Sequence, residues 1–151
     1  MNNHKQGSDM KLKNRIQGKQ NQRVGVWAEN MAERWLYSQG FHCIERIRTG
    51  WRIKWINGKV VSAKPKEKVS GDFNCIGKNG QYIHVEVKQR GSGKLFFSDL
   101  EEHQVEAMDE RVKYGALVLL IWVQSPTELK ALQWPIDGLK PGKSILWEQI
   151  K

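Results

Sequence analysis

Ala116 to Val123 reads Ala-Leu-Val-Leu-Leu-Ile-Trp-Val, with no polar residue to interrupt it. Eight residues fall far short of the roughly 20 that a membrane span needs, and neither side of the run suits water. This is the pattern of a central strand covered on both faces. The fold must therefore supply a layer on each side of a sheet, and the flanking segments are suited to that. Val24, Trp27, Ala28, Met31, Ala32 and Trp35 recur at helical spacing as far as Gln39, with Gly40 placed to close the helix in a left-handed conformation. Ser98-Asp99-Leu100-Glu101 has the form of a capping box and predicts a second helix to about Tyr114, closed by Gly115. Trp27, Trp35 and Trp122 are assigned to the core.

Between the helices the apolar period changes to two. Phe41 to Ile47 alternates as a strand, and Trp51 to Ala63 folds about Asn57-Gly58 into a hairpin, with Arg52, Lys54 and Lys59 turned outward. Lys64 to Lys68 reads as a charged loop. At the C-terminal end, Leu132, Trp134 and Ile145-Leu146-Trp147 form an edge element packed on the core. The expectation is one α/β domain over residues 23–151, a central mixed sheet flanked by helices. A chain of 151 residues is large enough for one such core. Residues 1–22 are rich in Asn, Gln, Lys and Gly without a hydrophobic period and are expected to be a flexible basic arm.

Charge narrows the partner. The formal net charge is +9, yet Met1 to Lys68 holds 15 basic and 5 acidic residues and the remainder 10 and 11. A basic half meets a polyanion by releasing its condensed counterions, which makes nucleic acid the leading partner, although charge alone fits a soluble basic protein whose tail repels its neighbours about as well. The polar first residues lead into no apolar stretch of a signal peptide, and no segment suits a membrane, so a cytoplasmic location is expected. Cys43 and Cys75 lack the spacing of a zinc or redox motif and read as small buried side chains.

The second hairpin carries the chemistry. Asp72-Phe-Asn-Cys-Ile76 and Tyr82-Ile-His-Val-Glu-Val-Lys88 both alternate, and Phe73 and Cys75 must share a face with Ile83, Val85 and Val87. Only a loop with an odd number of residues allows this, and Lys78-Asn79-Gly80 fits, with Gly80 left-handed. Asp72 then stands opposite Glu86, with Cβ atoms about 5 Å apart on the face opposite the core, and Lys88 projects from that face two residues on. Facing carboxylates either share a proton or hold a cation; a cation held by oxygen alone is a hard one, Mg²⁺ or Mn²⁺. The plainer alternative is a cross-strand polar pair on a solvated sheet face, with Lys88 as its ion-pair partner.

Gly71-Asp72, thirteen intervening residues, then Glu86-Val87-Lys88 resembles the core of the PD-(D/E)xK nuclease superfamily. Gly25-Val-Trp-Ala-Glu29 is similar to the G-x-x-x-E element of its Holliday junction resolvase branch, of bacterial and phage type. Phe97-Ser98, His103-Gln104 and Gly115-Ala-Leu-Val-Leu-Leu120 resemble that branch's continuation, so the likeness covers about Arg23 to Val123. It implies a restriction-endonuclease-like fold and a Mg²⁺- or Mn²⁺-dependent, structure-selective DNA endonuclease that leaves a 5′-phosphate and a 3′-hydroxyl. Asp72, Glu86 and the Val87 carbonyl would bind the metal. Lys88 would orient or help deprotonate the attacking water. Glu29 would bind through water or hold a second ion; geometry alone favours Glu33 equally. His103 and Gln104 would back up these groups from behind. Gly71 stands where the motif has Pro, and the Trp51 to Ala63 hairpin occupies the place of an element that contacts the junction in similar resolvases.

Candidate phosphate contacts are Arg23, Arg52, Lys54, Lys59, Arg90 and Lys94, the last two in the basic Gln89 to Lys94 segment, and Trp51 and Trp55 could stack on bases. Two symmetric cuts at a four-way junction imply a two-fold homodimer. A restriction or repair nuclease on the same core would cut linear duplex or flap instead. A non-catalytic nucleic-acid-binding module would bind without cutting.

Overall fold

A computed structural model describes residues 14, 17, 25–48, 51–65 and 70–151. Helix α1 covers residues 25–38 and ends at Gly40, whose φ of 76° is the left-handed closure its position demanded. Strands β1 (His42–Arg46), β2 (Trp51–Ile56), β3 (Lys59–Pro65), β4 (Phe73–Ile76), β5 (Tyr82–Gln89) and β6 (Lys94–Phe96) follow, then a 3₁₀ turn (Phe97–Asp99) and helix α2 (Glu102–Lys113). Strands β7 (Leu117–Ser125), β8 (Glu128–Gln133) and β9 (Ser144–Leu146) complete the domain. The arm over residues 1–22 lies, apart from residues 14 and 17, outside the described residues. Among the described residues no helix is long and apolar enough to cross a membrane.

The main sheet has the order β1-β4-β5-β7-β8, with β5 and β7 parallel and the other neighbours antiparallel. It is the mixed sheet the pattern required. Val118 to Val123 of β7 are buried, as a strand covered on both sides must be. One face brings Phe73, Cys75, Ile83, Val85 and Ile121 against Ala28, Ala32 and Leu36 of α1. The other brings Val118, Leu120 and Trp122 against Met108 of α2. Trp122 is fully buried, whereas Trp27 and Trp35 are half-buried against the α1 side.

Strand β4 meets β5 in the register Phe73↔Val85 and Cys75↔Ile83. Gly77 N–H donates to Gln81 O at 2.8 Å and Gly80 takes φ 75°, so residues 78–80 are the three-residue loop expected.

Several expectations are corrected. The face bearing Glu86 is not opposite the core, because α2 crosses over it and leaves Glu86 only 2% exposed. Helix α2 starts later than Ser98: the Asp99 carboxylate accepts the Phe96 N–H at 2.9 Å in the preceding 3₁₀ turn, and Gln104 Oε1 accepts the Glu101 N–H at 3.0 Å at the true helix start. Lys64 and Pro65 belong to β3 rather than to a loop. Cys43 is exposed, since a bulge between His42 and Glu45 puts it at φ 50° on the edge strand. β8 forms the far edge of the main sheet, and Ile145 and Leu146 instead pair with β6 in a separate ribbon.

Candidate active site

The β4–β5 register, continued one step past Phe73↔Val85, sets Asp72 opposite Glu86. Regular strand pairing ends there and the two carboxylates take over. Asp72 N–H still donates to Val85 O at 2.8 Å, but the Val87 N–H donates at 2.7 Å to Asp72 Oδ2. Reciprocally, the Gly71 N–H donates to Glu86 Oε2 at 3.0 Å. Each acid is thus held by the backbone of the other strand. A strand residue turns its N–H and C=O toward the same neighbour, so the Val87 carbonyl faces the side where β4 has ended. The Asp72 carbonyl is fixed in turn by the Ile47 N–H at 2.8 Å.

Lys88 lies two residues beyond Glu86 on the same face, with Nζ 3.4 Å from Glu86 Oε1. Its Nζ also donates to Gln104 Oε1 at 2.7 Å, and Gln104 Nε2 donates to Glu86 Oε1 at 2.5 Å. Gln104 therefore closes a ring of three side chains from the first turn of α2. His103 does not join it; its Nδ1 lies 3.3 Å from Glu101 Oε2.

Burial first, and then the Glu86 charge, push the Asp72 carboxyl up to about 6, against the Val87 N–H, Lys88 and Arg46, which hold it down. Burial likewise raises Glu86, with Lys88 and the Gly71 N–H opposing. Two carboxylates raised in this way, with one ammonium group at hand, ask for a further cation. The donors are carboxylate and carbonyl oxygens, which suit a hard divalent ion. Among the described residues no three His, Cys, Asp or Glu side chains gather as one ligand set.

Glu29 approaches from α1. Burial raises its carboxyl and the Asp72 charge raises it further, so the two acids sense one another across the sheet edge. Arg46 at the end of β1 holds it: the guanidinium is 3.7 Å from Glu29 Oε2, donates to Glu33 Oε2 and to Asn30 Oδ1 at 2.9 Å, and stacks 5.3 Å from the Phe73 ring centroid. Sequence reasoning passed over Arg46, although a cation on a strand facing Glu29 and Glu33, one helical turn apart, was the available signal. His84 lacks the spacing of a zinc ligand and reads from the sequence as a surface or hydrogen-bonded residue, and the second of these is what the structure shows. That fully buried imidazole on β5 has its Nδ1 3.1 Å from Asn74 Oδ1, and burial first, then Arg111, lower it to about 4.

The basic candidates are scattered. Lys54 and Lys59 are exposed on the β2–β3 hairpin with Trp55, and Lys94 is exposed on β6. Arg90 is occupied with Asp99 at 2.9 Å. Arg23 and the side chains of Trp51 and Arg52 lie outside the described residues.

No curated protein matches the chain in sequence. Among solved structures it is similar to Hjc of Archaeoglobus fulgidus, a Holliday junction resolvase from an archaeal hyperthermophile. The two share 18% identity with a TM-score of 0.48, over 70% of this chain and 74% of that one. The family model of recombination protein U matches residues 29–134, from Glu29 through every residue of the carboxylate site. The match takes in more than half of the sequence, and the chain belongs to the recombination protein U family.

Proposed function

We propose that this chain is a divalent-metal-dependent endonuclease that resolves Holliday junctions, working in the cytoplasm as a two-fold homodimer on branched DNA. The observation that carries the reading is the reciprocal hold of Asp72 and Glu86, each raised in pKa and each pinned by the opposite strand's amide, inside the segment that matches the family. Asp72, Glu86 and the Val87 carbonyl are the ligands proposed for Mg²⁺ or Mn²⁺, with Glu29 acting through water or on a second ion. When bound, the ion supplies a Lewis acid beside the phosphate and a more acidic water.

The protein's own groups do the rest. Lys88, aimed by Gln104 and Glu86, orients the attacking water and offsets charge on the phosphate. Arg46 keeps Glu29 beside Asp72. Lys54, Lys59 and Lys94, together with Arg23, Arg52 and Arg90, are assigned to the DNA backbone, where each neutralised phosphate adds to affinity.

The test is cleavage of a four-way junction, a linear duplex and a flap, in Mg²⁺ and in Mn²⁺ separately. The junction is cut in preference, and Asp72→Asn and Glu86→Gln each abolish cutting while junction binding is kept or strengthened. Preference for linear duplex or flap assigns a restriction or repair nuclease. Salt-sensitive binding with no cleavage in either metal assigns a binding module.

A further inference from the structure

We propose that His84 is a positioning residue for Glu86, acting through Gly71. The inference rests on the assignment of Glu86 as a ligand of the divalent ion. His84 lies two residues before Glu86 on the same face of β5 and is fully buried. A buried imidazole calls for an account of both its nitrogens. Nδ1 meets Asn74 Oδ1 at 3.1 Å, and the same oxygen accepts from the Tyr82 hydroxyl at 2.7 Å. An amide oxygen only accepts, so Nδ1 bears the proton. Nε2 has no hydrogen-bond partner among the described residues. What the ring edge meets is Gly71: a Cβ built there would stand 2.0 Å from Cε1 and 2.6 Å from Nε2.

Gly71 is therefore glycine for two separate reasons, this contact and a φ of 89°. Its N–H is the one that holds Glu86 Oε2 at 3.0 Å, and Asp72 follows it directly. The imidazole is the floor that sets the height of this amide, and Asn74 fixes the floor in place. Second-sphere groups of this kind tune a metal site without touching the ion.

The test uses the full chain and Mn²⁺ alone as probe. It reads the calorimetric Kd without DNA, the half-saturating Mn²⁺ concentration for junction cleavage, and the metal-free melting temperature. His84→Ala is expected to weaken Mn²⁺ binding by about 10- to 100-fold, and Asn74→Ala by less. Gly71→Ala is expected to cost less in the His84→Ala background than in the wild type, since the clash has gone, and this non-additivity is the signature of the contact. A folded His84→Ala that binds Mn²⁺ like the wild type, or strict additivity with Gly71→Ala, overturns the inference. If His84→Ala does not fold, wild-type Mn²⁺ binding by a folded Asn74→Ala overturns it equally. Glu86→Gln separates the levels. Loss of Mn²⁺ binding there with normal binding in His84→Ala defeats this inference alone; normal binding in Glu86→Gln defeats the ligand assignment beneath it.

Discussion

Gln104 donates to Glu86 Oε1 at 2.5 Å while its own carbonyl oxygen accepts from Lys88 Nζ at 2.7 Å. One amide from α2 therefore orients both the acid and the ammonium group of β5, and no hydrophobic or charged residue can do both. Gln104→Leu should slow single-turnover junction cleavage by roughly 10- to 100-fold at saturating metal, with junction affinity unchanged. Gln104→Glu should be worse, because a carboxylate cannot donate to Glu86 and adds a negative charge to a site that already resists two. A rate within two-fold of wild type for Gln104→Leu, in a protein of normal melting temperature, would remove Gln104 from the site.

The raised carboxyls give the metal-free protein a pH dependence whose sign is fixed. Asp72 goes from 3.8 to about 6 on folding, so its favourable contribution is fully present below about 3.8 and is lost as pH rises through about 6. Glu86 is raised in the same direction. Above pH 6 the ionised Asp72 penalises the metal-free fold by something on the order of 2 to 3 kcal/mol. Asp72→Asn should therefore melt higher than the wild type at pH 7.5 without metal, and the difference should narrow as pH falls below 6 and vanish only toward pH 3.8. The rise in melting temperature on adding Mg²⁺ should be small at pH 5 and grow through pH 6, since a proton and the ion compete for the same oxygens. A metal-induced shift of equal size at pH 5 and pH 8 contradicts the assignment.

Arg46 is the cation that α1 and the sheet share. Its guanidinium reaches Glu29, Glu33 and Asn30 at once and lies over Phe73, with its side chain 22% exposed. Lys offers a point charge without a fork or a planar face, so Arg46→Lys should not restore what Arg46→Met loses. Both should lower stability by about 1 to 2 kcal/mol, a figure kept small by the partial exposure. Cleavage should fall further than stability predicts, because Glu29 loses its hold beside Asp72. Denaturant unfolding and cleavage measured on the same preparations separate the two effects, and full activity in Arg46→Met would show that Glu29 needs no such anchor.

How much of this was legible in the sequence depends on how far each relationship reaches. The opposition of Asp72 and Glu86 was readable because two alternating strands and one short loop admit a single register that buries both apolar sets. The helix closures at Gly40 and Gly115 were readable for a similar local reason, with φ values of 76° and 88°. The cover over Glu86 was not. The apolar stripe of Val105, Met108 and Val112 announces a buried helix face, but which side of the sheet it lands on is decided by the crossover from β5 to β7. Arg46 was hidden by the bulge in β1: an extra residue there changes the side to which later residues point, so alternation through Phe41 to Ile47 misplaces them and buries Cys43 wrongly. The Gly71 and His84 contact leaves no periodic trace at all, since it joins a loop glycine to a strand residue thirteen positions away.

That same contact predicts what happens if the proline of the nuclease motif is placed at Gly71. Proline needs φ near −65°, whereas Gly71 has φ 89°. It brings a Cβ and a ring into space that His84 Cε1 already fills at 2.0 Å from the built Cβ position. It also lacks the N–H that Glu86 Oε2 accepts at 3.0 Å, leaving a buried carboxylate oxygen without its donor. Each of the three is unfavourable alone, and together they should cost at least about 3 kcal/mol, enough to unfold a marginal domain or detach β4 from β5 at this end. Gly71→Pro should lose divalent binding and cleavage and melt well below Gly71→Ala, which keeps the amide. Adding His84→Ala should not rescue Gly71→Pro, because the missing N–H and the wrong φ remain. A Gly71→Pro protein that melts and cleaves like the wild type would mean that the β4 entrance is not built as described.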